Sequence, residues 1–106
     1  MTPARKALAD LLVVDDEPGI RQALQQMLEY EGYGVRTARD GPAALAAYRE
    51  QPADLVLLDI KMAPMDGLEV LEKLRAEDPD ATIVMISGHG SVETAVEALK
   101  RGAFDF

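Results

Sequence analysis

Short runs of branched apolar residues recur along the chain, separated by longer segments with a helical spacing. Three of these runs are continuous, over residues 11–14 (LLVV), 55–58 (LVLL) and 82–86 (TIVMI). Continuous runs of this length are typical of strands that are buried on both faces of a parallel sheet. A fourth run, residues 33–38 (YGVRTA), alternates apolar and polar side chains, as expected of a strand nearer the edge. The pattern therefore predicts four strands over these residues.

Between the strands, apolar residues recur at the three- and four-residue spacing of amphipathic helices. Pro18 suits the first turn of one helix, which ends near Gly32, and Gly41 opens a second helix that ends before Pro52. Ser91 is a suitable N-cap for a fourth helix. The stripes that we expect to face the core are Ile20, Leu24, Met27 and Leu28 in the first helix, Leu45 and Tyr48 in the second, Leu68, Leu71 and Leu74 in the third, and Val92, Ala95, Val96 and Leu99 in the fourth.

Strict alternation of strands and helices predicts an α/β fold, with a parallel sheet and helices on both faces. The strand count suits a flavodoxin-like doubly wound sheet of order 2-1-3-4-5, although the pattern alone leaves the Rossmann order open. The final residues, GAFDF, predict the first half of a fifth strand. We therefore expect an N-terminal extension over residues 1–9 and one domain over residues 10–106 that is truncated in strand five, with the last helix absent.

Composition and charge narrow the class of protein. The net charge of −8 argues against direct binding of nucleic acid or of an anionic membrane by this chain, since such binding depends on Lys and Arg. The absence of cysteine excludes disulfides and thiolate metal sites. No apolar run reaches the roughly 18 residues of a membrane span. These features predict a soluble, cytoplasmic domain.

Polar side chains follow three of the predicted strands. Asp15 and Asp16 come directly after the first strand, Asp59 after the third and Ser87 after the fourth. In the order 2-1-3-4-5 these strands are neighbours, so their carboxyl ends face one pocket. Taken singly, Asp15 or Asp16 is explained as well by a helix cap or a solvated charge. Asp59 is harder to explain in that way, because it follows four apolar residues at the end of a central strand.

Three carboxylates in one pocket repel one another unless a cation lies among them. Oxygen ligands without His or Cys favour a hard ion such as Mg²⁺. A carboxylate beside Mg²⁺ can attack phosphorus and form an aspartyl phosphate. The Ser87 hydroxyl and the amides of the SGHGS segment would supply hydrogen-bond donors, and a lysine would complete the charge neutralisation.

The segments LLVVDDEPGIRQAL, DLVLLDIKMAPMDGLEVL and IVMISGHGSVETAVEALKRGAFDF resemble the receiver domain of two-component response regulators. The resemblance covers residues 11–106, and the last segment is most similar to receivers of NtrC/NtrX-type transcriptional activators. It implies that Asp59 is the phosphoacceptor and that Asp15 and Asp16 hold Mg²⁺, with Asp16 as the direct ligand. The further residues that it implies are Lys61, whose backbone carbonyl is a metal ligand, Ser87 as the switch hydroxyl and Phe106 as the switch aromatic.

The resemblance also implies partners. A sensor histidine kinase would donate the phosphoryl group, and an attached output domain, an ATPase plus a DNA-binding domain, would respond to it. The chain would assist its own phosphorylation and dephosphorylation without acting as an enzyme on an external substrate. Without the last helix one side of the sheet is incompletely covered, so a homodimer is a further expected partner state.

Two features depart from the family's pattern. The usual D-x-x-M-P loop here has Met62 followed by Ala63, with the proline one place later at Pro64. Because Gly67 keeps its usual distance from Asp59, we expect a local change in loop shape. The family's active-site lysine falls three residues past the Phe106 position, beyond the printed sequence.

Two other functions share parts of this pattern. A pseudo-receiver would have the same fold and act only as a protein-interaction module. The intact set of Asp15, Asp16, Asp59 and Ser87 argues against it, whereas the lack of the family's lysine within these 106 residues argues for it. A Mg²⁺-dependent phosphohydrolase of the haloacid-dehalogenase type also forms an aspartyl intermediate. That class requires a second aspartate two residues after the nucleophile, where this chain has Lys61.

Overall fold

The computed structural model describes residues 9–63 and 65–86. Strands and helices alternate over these residues as predicted. The predicted fourth helix and fifth strand lie outside the described residues, as does nearly all of the predicted N-terminal extension. The observed elements are β1 (Asp10–Val14), α1 (Pro18–Tyr30), β2 (Gly34–Ala38), α2 (Gly41–Glu50), β3 (Leu55–Asp59), α3 (Gly67–Glu77) and β4 (Ile83–Ile86).

All strand pairs are parallel, and the order in the sheet is β2-β1-β3-β4. This confirms the flavodoxin-like order for the four described strands. It also excludes the Rossmann order, because β1 pairs with β3. In the observed register Val14 lies opposite both Ala38 and Leu58, so the three strands end level with one another. Residues that directly follow β1 are therefore brought next to the end of β3.

Local signals fix the starts of the helices. The Asp40 side chain accepts a hydrogen bond from Ala43 N at 2.9 Å and so caps α2. The Asp66 side chain accepts one from Glu69 N, also at 2.9 Å, and caps α3. By contrast, α1 begins with Pro18 after Glu17, which makes no side-chain cap. The start of α1 is therefore held by other contacts, which are described below.

The main core lies between one face of the sheet and helices α2 and α3. It is built from alternate residues of the strands and the apolar stripes of the two helices. The predicted helical residues Leu45, Tyr48, Leu71 and Leu74 are all buried there. The largest fully buried side chains of this core are Leu12, Val14, Val56, Leu58, Val70, Leu71, Leu74, Ile83 and Met85.

The opposite face of the sheet differs from the prediction. None of the 13 residues of α1 is buried, and Ile20 and Met27, which we expected in the core, are 40% and 56% exposed. Helix α1 packs over β1 and β2, and the other two residues of its stripe, Leu24 and Leu28, are half-buried. Only β1 is buried on both faces, whereas β3 and β4 alternate, with Leu57 and Val84 half-buried on the α1 side.

Two polar contacts join the C-terminal ends of α2 and α3. The Tyr48 hydroxyl donates to Asp78 Oδ2 at 2.6 Å. Arg49 forms a bidentate ion pair with Glu77, at 2.6 and 2.7 Å. Burial, followed by the hydrogen bond to Asp78, raises the pKa of Tyr48 to about 12. The same hydroxyl is the main cause of the lowered pKa of Asp78, with the Asp80 amide adding to it.

We expect Tyr48→Phe to lower the melting temperature at pH 7 by roughly 5 °C, because it removes this hydrogen bond. The raised pKa of Tyr48 contributes stability below its ordinary value of 10.0, and this contribution is lost as pH rises towards about 12. The lowered pKa of Asp78 contributes stability at neutral pH that is lost on acidification. Thermal unfolding from pH 3 to pH 12 should therefore show a flatter profile for the variant.

Tyr30→Phe is the matched control, because it removes the same hydroxyl group from a tyrosine that is 89% exposed. It should leave both the melting temperature and its pH profile unchanged. Identical behaviour of the two variants would show that the Tyr48 hydroxyl adds no stability.

Candidate functional site

The carboxyl ends of β1 and β3 bring three acidic side chains together. The strand pairing sets Val14 opposite Leu58, so Asp15 follows β1 just where Asp59 ends β3. One carboxylate oxygen from each of Asp15, Asp16 and Asp59 lies within 4.8 Å of the other two. The structure thus places the three predicted acidic residues in a single cluster.

The three carboxylates differ in their surroundings. Asp15 is only 4% exposed and is the one buried charged side chain among residues 9–63 and 65–86. Its Oδ1 accepts a hydrogen bond from Glu17 N at 2.9 Å. Asp59 is half-buried and Asp16 is exposed. The cluster therefore runs from a fixed, buried carboxylate to one that solvent and ligands can reach.

The pKa of Asp59 is raised, which shows that its charged form is disfavoured in this site. Burial is the main cause, and repulsion from Asp15 is the next. Hydrogen bonds from the backbone amides of Lys61 and Ile60 oppose the shift, while Asp16 adds to it. A cation among the three carboxylates would remove the repulsion and favour the ionised form of Asp59.

Lys61 contributes a group that the sequence did not point to. A backbone hydrogen bond from Lys61 lowers the pKa of Asp59, while the predicted role of the Lys61 carbonyl as a metal ligand stays a prediction. The Lys61 side chain is exposed. Only the position of Lys61, two residues after Asp59, could have indicated this contact from the sequence.

The loop between β3 and α3 is closed tightly against the end of β3. Gly67 N donates to Ile60 O at 2.7 Å. A side chain on Gly67 would meet the Asp59 carbonyl oxygen and would lie 2.7 Å from Ile60 Cα. Within the loop, Met62 is buried in the core and Ala63 is exposed. The absence of a side chain at Gly67 therefore lets α3 begin directly against the backbone that carries Asp59.

Ser87 and Phe106 lie outside the described residues, so their proposed roles as switch residues stay predictions. Pro64, in the departing part of the β3–α3 loop, also lies outside them. The last residue of β4, Ile86, pairs with Asp59. The described part of β4 thus ends level with the acidic cluster.

A parallel sheet of this order defines a doubly wound α/β domain. The three carboxylates at the ends of β1 and β3 form a cluster that could hold a metal ion. Over residues 11–106 the sequence matches the response regulator receiver domain family, and the chain belongs to that family. The resemblance stated from the sequence is thereby confirmed.

The similar proteins include transcriptional regulators of the predicted type. The chain is 50% identical over 99 residues to the nitrogen assimilation regulatory protein NtrX of Azorhizobium caulinodans, covering 92% of this chain and 22% of that protein. It is 46% identical over 97 residues to the transcriptional regulatory protein ZraR of Escherichia coli, with the same coverage of 92% and 22%. The chain therefore spans about a fifth of the length of these relatives.

Solved structures support the same assignment. The receiver domain of NtrX from Brucella abortus matches with a TM-score of 0.86 and 47% identity, covering 92% of this chain and 82% of that chain. The chemotaxis protein CheY4 of Vibrio cholerae matches with a TM-score of 0.88 and 34% identity, covering 93% and 84%. The fold is thus shared by isolated receivers and by receivers of larger regulators.

Proposed function

We propose that this chain is the phosphoacceptor receiver domain of a two-component response regulator and that Asp59 accepts the phosphoryl group. The observation that carries the proposal is the convergence of the Asp15, Asp16 and Asp59 carboxylate oxygens within 4.8 Å, in a chain of the receiver family. The raised pKa of Asp59 supports it, because a carboxylate disfavoured by its neighbours is stabilised when a cation joins them.

The residues present fit Mg²⁺. All three side chains are oxygen donors, and no histidine within residues 9–63 and 65–86 joins the cluster, while the sequence contains no cysteine. Asp15 and Asp16, with Asp16 as the direct ligand, would hold the ion together with Asp59 and the Lys61 carbonyl. Bound there, Mg²⁺ would supply neutralisation of the charge that accumulates on the phosphoryl oxygens.

In the proposed step, a carboxylate oxygen of Asp59 attacks the phosphorus of a phosphohistidine on the partner kinase. The new bond is O–P, the broken bond is P–N, and the imidazole leaves with the electron pair and takes up a proton. Backbone hydrogen bonds from Lys61 and Ile60 lower the pKa of Asp59 and so favour its ionised form, which is the nucleophile. Ser87 would donate a hydrogen bond to the transferred group, and Phe106 would move with it.

The proposed consequence is a population shift that controls an attached output domain. The chain covers 22% of NtrX and ZraR, so those relatives carry further domains. One Brucella abortus NtrX structure was determined in complex with ADP and another with ATP. By analogy, we propose an output made of an ATPase and a DNA-binding domain, acting in the cytoplasm, with no external substrate for the receiver.

Among the described residues, no helix has the length and apolar character that would cross a membrane.

Of the competing functions, the phosphohydrolase is disfavoured because Lys61, at the position of its second aspartate, has an exposed side chain and contributes its backbone. The phosphorylation test below distinguishes a pseudo-receiver from the proposed phosphoacceptor receiver.

The test is a time course with acetyl phosphate, read by intact mass. The wild-type chain should gain the mass of one phosphoryl group with Mg²⁺ and none in EDTA, whereas Asp59→Asn should gain none. Asp80→Asn, an exposed aspartate away from the cluster, should behave like wild type. Beryllofluoride binding, followed by ¹⁹F NMR, provides a readout that needs no bond cleavage. Failure of wild type in both assays would favour the pseudo-receiver.

A further inference from the structure

The turn between β1 and α1 carries two of the three carboxylates but holds them unequally. Asp15 is buried and hydrogen-bonded, as described above. Asp16 is exposed, and within the described part of the chain no hydrogen bond reaches its carboxylate. The position of the Asp16 side chain therefore depends on the backbone that precedes it.

That backbone is held at both ends of Asp15. Asp15 N donates to the carbonyl of Ala38, at the end of β2, at 3.2 Å. On the other side, Arg21 Nη1 donates to the Asp15 carbonyl at 2.8 Å. This carbonyl belongs to the peptide group that joins Asp15 to Asp16. Because a peptide group is planar, fixing its oxygen also fixes the plane from which Asp16 projects.

Arg21 is well placed for this contact, since its own backbone is anchored to the same turn. Arg21 N donates to Glu17 O at 3.0 Å, in the first turn of α1. Arg21 is half-buried, and its side chain extends back along the helix to the Asp15 carbonyl. Since Glu17 makes no side-chain cap, the Arg21 guanidinium is a polar group that ties the start of α1 to the end of β1.

We propose that Arg21 is a positioning residue for cation binding: it holds the Asp15–Asp16 peptide group and thereby presents the Asp16 carboxylate to the ion. The inference rests on the proposed function, because it assigns Arg21 to the cation site of the acidic cluster. Arg21 does not touch the ion or the phosphoryl group in this role.

The sign of the effect separates positioning from simple electrostatics. Arg21 is a positive charge near an acidic cluster, so a purely electrostatic role would oppose cation binding. Its removal would then strengthen Mg²⁺ binding. If Arg21 instead positions Asp16, its removal weakens Mg²⁺ binding, and loss of such a supporting contact costs roughly tenfold or more in metal affinity.

The experiment is a Mg²⁺ titration of the full chain, followed by the amide NMR signals of Asp15, Asp16 and Asp59. We expect Arg21→Gln to bind Mg²⁺ about tenfold more weakly than wild type. Arg21→Lys, which keeps a donor, should recover part of the affinity. Arg39→Gln is the matched control, because it removes the same charge from a side chain that is 80% exposed at the end of β2. It should leave the affinity unchanged or slightly higher.

Each outcome decides between the explanations. Unchanged or stronger binding by Arg21→Gln would overturn the positioning role while leaving the cation site intact. Absence of Mg²⁺ binding in wild type would overturn the proposed cation site itself, and the role of Arg21 with it. Signals outside the cluster report whether each variant is folded, and Arg21→Lys tests the role if Arg21→Gln does not fold.

Discussion

Gly67→Ala is expected to destabilise the fold by about 3 kcal/mol, the upper part of the usual range for overpacking. The added Cβ would meet the Asp59 carbonyl oxygen and would lie 2.7 Å from Ile60 Cα. These are backbone atoms of β3 and the loop after it, so no side-chain rotation can relieve the contact. Urea unfolding in EDTA measures the loss of stability.

The same change should also weaken Mg²⁺ binding. To make room for the methyl group, α3 must move away from the end of β3, which breaks the 2.7 Å hydrogen bond from Gly67 N to Ile60 O. Ile60 supplies one of the two backbone hydrogen bonds that lower the pKa of Asp59. A Mg²⁺ titration under conditions where the variant is folded would detect this second effect independently of stability.

Gly19→Ala provides a control with the opposite sign. Apart from its two chain neighbours and the backbone of its own helix, no atom of the described residues lies within 4 Å of a Cβ placed on Gly19. Gly19 lies in the first turn of α1, so alanine should stabilise the protein by about 0.5 kcal/mol. Equal stabilities of Gly67→Ala and Gly19→Ala would show that the close approach at β3 carries no cost.

The parts of the fold that depend on local pattern were predictable. Continuous apolar runs located β1, β3 and β4, and their alternation with helical stripes led to a doubly wound parallel sheet, for which the strand count suited the flavodoxin-like order but left the Rossmann order open. The acidic cluster followed, because parallel strands end at one edge and Asp15, Asp16 and Asp59 all follow such strands. Only the choice between the flavodoxin and Rossmann orders needed the structure, since both have the same local pattern.

The misses share a physical cause. An apolar stripe shows which face of a helix turns inward but not how much protein covers it, so Ile20 and Met27 were expected in the core. The supporting contacts of the site were missed for a related reason. Arg21 bonds to a carbonyl six residues earlier, and Gly67 packs against a backbone oxygen. Neither contact has a residue-type signature, because the partner in each case is main chain.

Asp59→Asn is expected to raise the melting temperature in EDTA and to remove most of the stabilisation of the protein by Mg²⁺. The Asp59 carboxylate is disfavoured by burial and by repulsion from Asp15, which its raised pKa reflects. A carboxyl group with a raised pKa in the folded state stabilises the fold only while it is protonated. This stability is lost as pH rises past the ordinary pKa of 3.8, so the ionised Asp59 of pH 7 is the less favourable form. At pH 7 an asparagine of the same shape avoids this cost and can still accept from the Ile60 and Lys61 amides.

Mg²⁺ should reverse the order of the two proteins. At a free Mg²⁺ concentration of one hundred times its dissociation constant, wild type should gain about 2.7 kcal/mol, whereas Asp59→Asn lacks a ligand carboxylate and should gain far less. Asp80→Asn should track wild type in both buffers. Thermal unfolding with and without Mg²⁺ shows whether wild type and Asp59→Asn exchange their order of melting temperature. If Asp59→Asn were the less stable protein already in EDTA, repulsion within the cluster would be outweighed by other contacts. The strongest physical reason for placing a cation at this site would then be lost, whatever the family of the chain.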